Sequence, residues 1–442
     1  MKIKLSGILR FFISSPNTNI VTGVALNAIV SKEAIEQALN KVAQQHCFLR
    51  MVPIIDENND AYLLLKPDLT ILVKEYQDVA YDVLAHQELQ VVHQLNQKPL
   101  IHFVLNQREA HTDLMVVANH AICDGMSLNN LLKHIIQVLN GQELPPIPDY
   151  QPIEALAPAL QDSWSQNMLI KLVNKLWQKK DLILTQPMIN QVYKNYWDNR
   201  ATKVLIEDFS SEMTTAIIAH CKTKPYSVNT FLGTLFLYAR QAAEVYKKPT
   251  IKNFMITANL RPKLLKDTKQ AMGCYVNSIK LDLPKHYEQP IEVYAQALQQ
   301  KVSEWFDSME PLSLLTLLDI KASVMDAANL NKYGLRKDWL IQKLIKQFDL
   351  TKVNTELILT NYGVMQPNIS GSYQIAHYLP VVVSSAMTIE KYISIYTYKG
   401  QLRIGICYDA KVISESDMKQ YVQTFKRLLK KQLSIKQLQL QS

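Results

Sequence analysis

An unbroken apolar run, LMVVAN, occupies residues 114–119. Its length and composition are typical of a strand that is buried on both faces, as in a sheet covered by helices on each side. The more polar stretch HAICDG follows it, and from Ser127 onward Leu128, Leu131 and Ile135 recur at helical spacing. The segment therefore predicts a strand, a turn and a helix that starts at Ser127, and strand ends of this kind expose functional groups in open α/β layers.

Strands and helices alternate along two parts of similar size, which predicts an α/β fold. Ser31 is placed to cap a helix that runs to about residue 45. The Pro-rich stretch ELPPIPDYQPIEALAP resembles a linker, a basic helical region follows over 162–198, and a second αβ series then begins. We expect two domains: residues 1–180, with the first half and a linker helix, and residues 181–442.

Composition narrows the class of protein. The chain has 48% hydrophobic residues, a net charge of +9 and five dispersed cysteines without a CxxC spacing. Such cysteines predict reduced thiols in the cytoplasm, with neither a disulfide framework nor a metal site. The apolar N-terminal run is broken by Ser6 and Arg10, and no apolar stretch reaches membrane-spanning length, so we expect neither a signal peptide nor a membrane span.

The positive charge suits anionic partners, namely CoA phosphates, an acidic carrier protein, phospholipid or nucleic acid, although a basic solvated surface would explain it equally well. The sequence lacks a Gly-rich phosphate loop, a zinc knuckle and an aromatic RNA-binding signature, which argues against nucleic acid.

His120 is the candidate functional residue of the turn. A histidine with an ordinary pKa of about 6.5 can accept a proton at neutral pH, whereas the alternative role is a structural hydrogen bond at the strand end. Cys123 and Asp124 follow closely and suggest a Cys-His-Asp nucleophile. Because all three crowd one short turn, their side chains should diverge, and we predict that Cys123 is a packed, inert thiol.

The stretch NHAICDG resembles the HHxxxDG signature of the CoA-dependent acyltransferase superfamily, which includes chloramphenicol acetyltransferases, condensation domains, alcohol acyltransferases and polyketide-associated acyltransferases. His120 matches the second, catalytic histidine, and Asp124 and Gly125 match the closing pair. Asn119 stands where the family has its first histidine.

Other phrases occur in the order that the family shows. ALNKVAQQHCFLRM resembles the end of the family's early helix. TANLRP (257–262) resembles a phrase with an arginine at a strand end, and MGCYVNS (272–278) resembles the phrase Gly-x-Phe-Val-Asn-Thr. LTNYGV (359–364) lies where relatives have a late Gly-containing loop, but it is not a DFGWG motif. The resemblance implies two chloramphenicol-acetyltransferase-like αβ sandwich halves with a substrate tunnel between them.

The resemblance also implies a reaction, in which His120 acts as the general base that moves an acyl group from acyl-CoA or an acyl carrier protein to a small alcohol. A condensation-type enzyme that forms an amide from an amine, and a catalytically silent module that binds a thioester or a carrier, are the alternatives. Acyl-CoA or the acyl-carrier thioester would be a co-substrate, with no resident cofactor or metal, in a monomer.

Roles can also be assigned to further residues. Asp124 could orient His120, whereas the resemblance implies a structural ion pair between Asp124 and an arginine of the second half, for which Arg261 is the candidate. From their residue types, Asn277, Thr360 and Asn361 are candidates for oxyanion stabilisation or for the tunnel wall, and the polarity usual at strand-end turns would explain them nearly as well. Tyr275 and Tyr362 are expected to be tunnel or core aromatics.

Residues 167–180, NMLIKLVNKLWQKK, form a basic amphipathic segment. Its larger apolar residues are predicted to lie near one face, namely Met168, Leu169, Leu172, Leu176 and Trp177. Lysines are interleaved with them. Such a helix could make a peripheral contact with a membrane surface, or it could pack between domains with a solvated basic edge.

Overall fold

The computed structural model describes most of the chain. The described residues are 1–148, 150–156, 164–177, 182–243, 251–284, 287–308, 312, 319–347, 354–384 and 389–433. The expected boundary between residues 180 and 181, and the lysines at 179 and 180, lie outside this part of the chain.

The described strands form three sheets. They are β1 (Lys2–Leu5), β2 (Asn19–Leu26), β3 (Met51–Ile55), β4 (Ala61–Leu65), β5 (Val73–Gln77), β6 (Ile101–Gln107), β7 (Thr112–Asn119), β8 (Thr202–Asp208), β9 (Asn253–Asn259), β10 (Val276–Asp282), β11 (Thr355–Met365), β12 (Ile375–Val383), β13 (Ile389–Tyr398) and β14 (Gln401–Asp409).

The described helices surround these sheets. They are α1 (Gly7–Ser14), α2 (Lys32–Val42), α3 (Tyr81–Leu89), α4 (Gly125–Leu139), α5 (Ile153–Leu156), α6 (Trp164–Leu176), α7 (Gln186–Trp197), α8 (Ser211–Lys222), α9 (Val228–Ala242), α10 (Ile291–Asp307), α11 (Ala322–Lys332), α12 (Trp339–Gln347) and α13 (Glu415–Gln432). None of the described helices is long and apolar enough to cross a bilayer.

The first large sheet has the strand order β12-β2-β7-β6-β5. Every residue of β2 and β7 is buried. Both strands are covered on two faces, which is why their sequences are nearly continuous apolar runs rather than alternating patterns. Strand β12 comes from late in the chain and pairs antiparallel with β2, with Ile375 opposite Leu26. A strand of the expected second half therefore completes the sheet of the first half.

The second large sheet has the order β10-β9-β11-β13-β14-β8. Helices α9 and α13 cover it, and the rings of Phe236 and Phe425 stack with centroids 4.0 Å apart. Buried apolar residues form one large core around the first sheet and another around the second. The small third sheet has the order β1-β4-β3. The mixed α/β fold with two lobes that the sequence predicts is confirmed.

Helix starts follow the capping chemistry of the sequence. The Ser31 side chain accepts a hydrogen bond from the Ala34 N–H, which confirms it as the N-cap of α2. The prediction that a helix starts at Ser127 is wrong by two residues, because α4 begins at Gly125. The reason is that Asp124 is the N-cap, and its carboxylate accepts a hydrogen bond from the Ser127 N–H at 2.8 Å.

Helix α6 differs from its expected single apolar face. Ile170, Val173 and the following Trp177 are buried, whereas Met168, Leu172 and Leu176 stay exposed. The helix packs against a small core made with α11 and α12, which uses only one side of the apolar surface. The basic helical region predicted over 162–198 is also divided, because α6 ends at Leu176 and α7 starts at Gln186.

Candidate active site

A cavity of about 360 Å³ lies between the two large sheets. The first lobe contributes His120 together with residues of α1, β2 and α4. The second lobe contributes residues of β9, β10, β11 and β13, and β12 adds apolar side chains. The cavity is therefore a shared space to which both lobes supply a wall, as the expected tunnel requires. Its lining includes Phe12, Ile20, His120, Met126, Met255, Thr257, Ser278, Ile358, Thr360, Val381 and Ile389.

The turn after β7 fixes the backbone at His120. The His120 N–H donates to the Thr18 carbonyl at 2.8 Å. The buried Asn119 amide donates to the Thr18 hydroxyl at 3.0 Å and to the Phe12 carbonyl at 3.2 Å. Its oxygen accepts from the Ala121 N–H at 2.9 Å. Asn119, in the place of the family's first histidine, thus connects the turn to α1 and to the segment between α1 and β2.

The imidazole of His120 lies at the cavity with a defined environment. Its Nδ1 is 3.4 Å from Cys274 Sγ, and its ring centroid is 5.3 Å from that of Phe12. Burial lowers the pKa of His120 below 6.5, although the charge of Asp124 and the carbonyls of His120 and Cys123 act in the opposite direction. The ring is consequently neutral at neutral pH and can accept a proton.

The Asp124 carboxylate accepts five hydrogen bonds. Arg261 donates two of them, from Nη1 to Oδ2 at 2.8 Å and from Nη2 to Oδ1 at 3.2 Å. The Tyr275 N–H donates at 3.0 Å, the Ser127 N–H at 2.8 Å and the Ser127 hydroxyl at 2.9 Å. The structure therefore brings Asp124 and Arg261 together as a bidentate pair across the two lobes.

The ionisation of Asp124 follows from these contacts. Burial opposes its charged form, but Arg261 and the N–H groups of Ser127 and Tyr275 outweigh burial and lower the pKa of Asp124 below 3.8. A carboxylate that is buried, ionised and so fully hydrogen-bonded has little capacity to take a proton from a substrate. The carboxylate is at the cavity wall, and its oxygens are engaged by Arg261, Ser127 and Tyr275.

Gly125 is required by the approach of an aromatic ring. A Cβ atom at this position would lie 2.5 Å from the Tyr362 ring. The Tyr362 hydroxyl is 2.9 Å from that of Tyr392, and both tyrosines line the cavity. Tyr275 is instead buried outside the lining, where its ring lies 4.9 Å from the Arg261 guanidinium.

Cys123 is buried inside the turn. Its Sγ lies 3.5 Å from the Asn119 carbonyl, and it is not among the cavity residues. Burial raises the pKa of Cys123 well above 9.0, so the thiol stays protonated. This environment is that of a packed thiol rather than a nucleophile.

The polar wall on the second lobe agrees only in part with the expected residues. Thr360 and Asn361 line the cavity, but Asn277 does not. Its neighbours Val276 and Ser278 face the cavity instead, because side chains alternate between the two faces of β10.

Sequence reasoning also missed residues that shape the site. The hydroxyls of Thr257 and Ser278 are 2.9 Å apart on paired strands at the cavity. The period of two within TANLRP and MGCYVNS could have indicated this pair. Phe12 and Cys274 offered no comparable signal, because only the fold brings them to His120. Among the residues that the structure describes, no group of three or more His, Cys, Asp or Glu side chains could hold a metal ion.

Comparison with solved structures finds the same two-lobed architecture. Trichothecene 15-O-acetyltransferase TRI3 from Fusarium sporotrichioides is 10% identical, with a TM-score of 0.66 over 97% of this chain and 95% of its own. Polyketide synthase associated protein 5 from Mycobacterium tuberculosis is 13% identical, with a TM-score of 0.63 over 98% and 97%. The condensation enzyme VibH is 12% identical, with a TM-score of 0.56 over 95% and 93%. At such identities the similarity concerns the fold, which is that of condensation domains and acetyltransferases.

The sequence itself defines the family. The profile of the family described as Condensation domain matches residues 19–441. The chain therefore belongs to the condensation-domain family, whose fold is shared with CoA-dependent acyltransferases. A search among curated proteins finds no significant match.

Proposed function

We propose that this protein is an acyltransferase that moves an acyl group from a CoA or carrier-protein thioester to a hydroxyl acceptor, with His120 as the general base. The observation that supports this most directly is the neutral His120 at a cavity shared by both lobes. Among the described cavity residues, His120 is the side chain whose protonation state suits proton acceptance at neutral pH, because Asp124 is ionised but fully hydrogen-bonded and the tyrosines are protonated.

The reaction needs one proton to move twice. His120 takes the proton of the acceptor hydroxyl while the hydroxyl oxygen attacks the thioester carbonyl. The C–S bond then breaks, and the imidazolium returns the proton to the leaving thiolate, so the products are an ester and a free thiol. A positioned base of this kind contributes about 10²–10⁴-fold to the rate.

The environment of Nδ1 supports a defined orientation for the base. Cys274 Sγ lies beside Nδ1, and the carbonyls of His120 and Cys123 favour the protonated ring. We assign the ring hydrogen to Nδ1, beside Cys274 Sγ, which leaves Nε2 to accept the substrate proton. Thr360 and Asn361 are candidates to donate hydrogen bonds to the tetrahedral oxyanion, since both line the same cavity.

The charge of the lining favours an alcohol over an amine. A free amine is mainly an ammonium ion at neutral pH, and a buried ammonium needs a carboxylate partner. The cavity carboxylate, Asp124, is already engaged by Arg261. The remaining polar residues of the lining are neutral hydroxyls and amides, including Thr257, Ser278 and Asn361. They suit a neutral hydroxylated acceptor.

The test is product formation from a matrix of substrates. Purified protein is incubated with acyl-CoAs and acyl-carrier proteins of different chain lengths, each with an alcohol or its matched amine, and products are identified by mass spectrometry. We expect ester formation with an alcohol. His120→Ala should retain the fold, measured by circular dichroism, and lose at least about a hundredfold in turnover.

The matched control is His377→Ala, because His377 is a partly buried histidine on β12 outside the cavity lining. It should leave turnover unchanged. Near-wild-type turnover by folded His120→Ala would contradict the role of the base. Amide formation alone would shift the acceptor class to amines, and thioester binding without any product would favour a silent binding module.

A further inference from the structure

Helix α6 exposes an apolar ridge that its packing does not use. Met168, Leu172 and Leu176 follow one another at intervals of four residues and are 55%, 48% and 46% exposed. The ridge extends about 12 Å along the helix, at 1.5 Å per residue. Aliphatic side chains so placed on one helix form a contiguous patch rather than scattered surface residues, and such patches mark interaction sites.

Within residues 164–177, the charges beside the ridge are of one sign. Lys171 and Lys175 are exposed on the same helix, and residues 164–177 contain no Asp or Glu. A convex apolar ridge flanked by lysines is complementary to the boundary between headgroups and acyl chains in an anionic bilayer. The acyl region accepts the apolar side chains, and the headgroup phosphates accept the lysines.

The ridge is held on a rigid base. On the opposite side of α6, the Trp177 indole donates to the Ser323 hydroxyl at 2.9 Å, and the Asn174 amide donates to the Asp319 carbonyl at 2.7 Å. Both contacts lie at the start of α11 or just before it. The helix is thus fixed by its buried face, which leaves the outer face available to a partner.

The base of α6 is in turn connected to the cavity wall. Asp326 of α11 accepts a hydrogen bond from Arg10 of α1 at 2.7 Å, and Phe12 of α1 lines the cavity. Attachment through the ridge would therefore hold the cavity at a fixed distance from the attached surface.

We propose that Met168, Leu172 and Leu176, with Lys171 and Lys175, form a surface by which this protein lies on an anionic lipid bilayer. The proposal does not rest on the chemistry at His120. It assigns to α6 the role of a peripheral anchor, with the lysines giving selectivity for anionic lipid and the ridge giving the apolar contact.

The experiment is vesicle flotation of the full chain with two kinds of vesicle, phosphatidylcholine mixed with phosphatidylglycerol and pure phosphatidylcholine. We expect binding to the anionic vesicles that weakens as ionic strength rises from about 0.1 M to about 1 M, because the screening length falls from ~10 to ~3 Å. The triple variant Met168→Ser, Leu172→Ser, Leu176→Ser should bind at least about tenfold more weakly. Lys171→Gln with Lys175→Gln should lose about fivefold per lysine on anionic vesicles only.

The matched control is the double variant Val83→Ser, Val293→Ser, which removes two similarly exposed aliphatic residues from α3 and α10. It should bind vesicles as the wild type does. All variants should keep the wild-type melting temperature and, with short soluble thioesters, the wild-type turnover, so that failure of the anchor and failure of the proposed reaction are distinguishable. Equal loss in the control, or no binding to anionic vesicles, would overturn the proposal. Binding of the ridge to a purified acidic carrier protein without vesicle binding would also overturn it and assign the surface to that protein.

Discussion

Two buried Asp–Arg pairs join distant parts of this chain, and their surroundings differ. Asp124 and Arg261 meet through two hydrogen bonds, and three further donors complete the carboxylate. Asp326 and Arg10 meet through one contact at 2.7 Å, with Asn59 as a shared neighbour. Both pairs are nearly inaccessible to solvent.

The second pair is incompletely hydrogen-bonded among the described residues. Nε and Nη1 of Arg10 and Oδ1 of Asp326 lack partners there. Burial raises the pKa of Asp326 above 3.8 in spite of Arg10 and Asn59, whereas the pKa of Asp124 is lowered. Since desolvation is repaid only when a buried pair is well hydrogen-bonded, only the pair beside His120 should stabilise the fold strongly.

The largest expected effect is on the pair at the site. Asp124→Ala and Arg261→Ala should each lower the free energy of unfolding by about 3–5 kcal/mol, because each leaves the other charge buried without its partner. Chemical unfolding measures the loss, and turnover should fall with it. The double variant should lose much less than the sum, since both changes remove one contact. Additive losses would show that the two residues stabilise the protein independently.

The opposite result is expected for Arg10 and Asp326, the pair between α1 and α11, where removal of both charges should cost little stability. Arg10→Met alone should destabilise the protein by about 3 kcal/mol, because Asp326 would stay buried without a counter-charge. Arg10→Met combined with Asp326→Leu should recover most of this loss, since both charges are gone and only the Asn59 amide, which donates to Asp326, loses its acceptor. Thermal melts of the single and double variants decide this. A double variant less stable than either single variant would mean that the pair is strongly stabilising despite its unpaired atoms.

A smaller effect is expected at Asn119, which supports the same turn as Asp124. Asn119→Ala should cost about 1–3 kcal/mol, because the buried Ala121 N–H loses its acceptor and the Thr18 hydroxyl loses its donor. The turnover number should fall by a larger factor than the Michaelis constant changes, because the turn positions His120. Unfolding curves test the loss of stability, and steady-state kinetics test the loss of turnover. Asn59→Ala is the control, because Asn59 contacts the Arg10–Asp326 pair rather than the turn of His120. Unchanged kinetics would separate Asn119 from the positioning of the base.

The smallest effect concerns pH. The lowered pKa of Asp124 gives stability that is complete above its unfolded value near 3.8 and is lost as pH falls through the folded pKa. The raised pKa of Asp326 acts in the other direction, with stability present below about 3.8 and lost as pH rises through the folded pKa. The free energy of unfolding is measured against pH for the wild type, Asp124→Asn and Asp326→Asn. The difference between wild type and Asp124→Asn should rise with pH below about 3.8, whereas the difference between wild type and Asp326→Asn should fall with pH above about 3.8. Slopes of the same sign would remove the contrast between the pairs.

Residues of the cavity could be predicted where they are contiguous in the sequence. NHAICDG places His120, Asp124 and Gly125 on one turn, and the phrase TANLRP indicated Arg261. Cys274 and Phe12 reach His120 only through tertiary structure, which spacing does not encode. Asn277 lies outside the lining of this cavity, since side chains alternate between the two faces of β10 and those of Val276 and Ser278 face the cavity.

The fold shows the same division. The buried strand β7 was evident from its apolar run, because burial on both faces leaves a compositional trace. The exchange of β12 into the first sheet was not predicted, since an apolar strand pattern does not specify its partner. The sequence predicted one apolar face for α6, whereas the helix has a buried apolar face and an exposed one. Hydrophobicity alone does not distinguish a face that packs from a face that stays exposed.

The crossing of β12 also sets an order of events on the ribosome. Strand β2, with the sequence NIVTGVAL, has β7 on one side and receives β12 on the other. Translation at 5–20 residues per second separates these two strands, about 350 residues apart, by roughly 20–70 s. During this interval an apolar strand has an open edge, which is the kind of surface that pairs with other chains. The nascent protein should therefore depend on chaperones until β12 emerges, and co-expression of chaperones that bind nascent chains should raise the soluble yield.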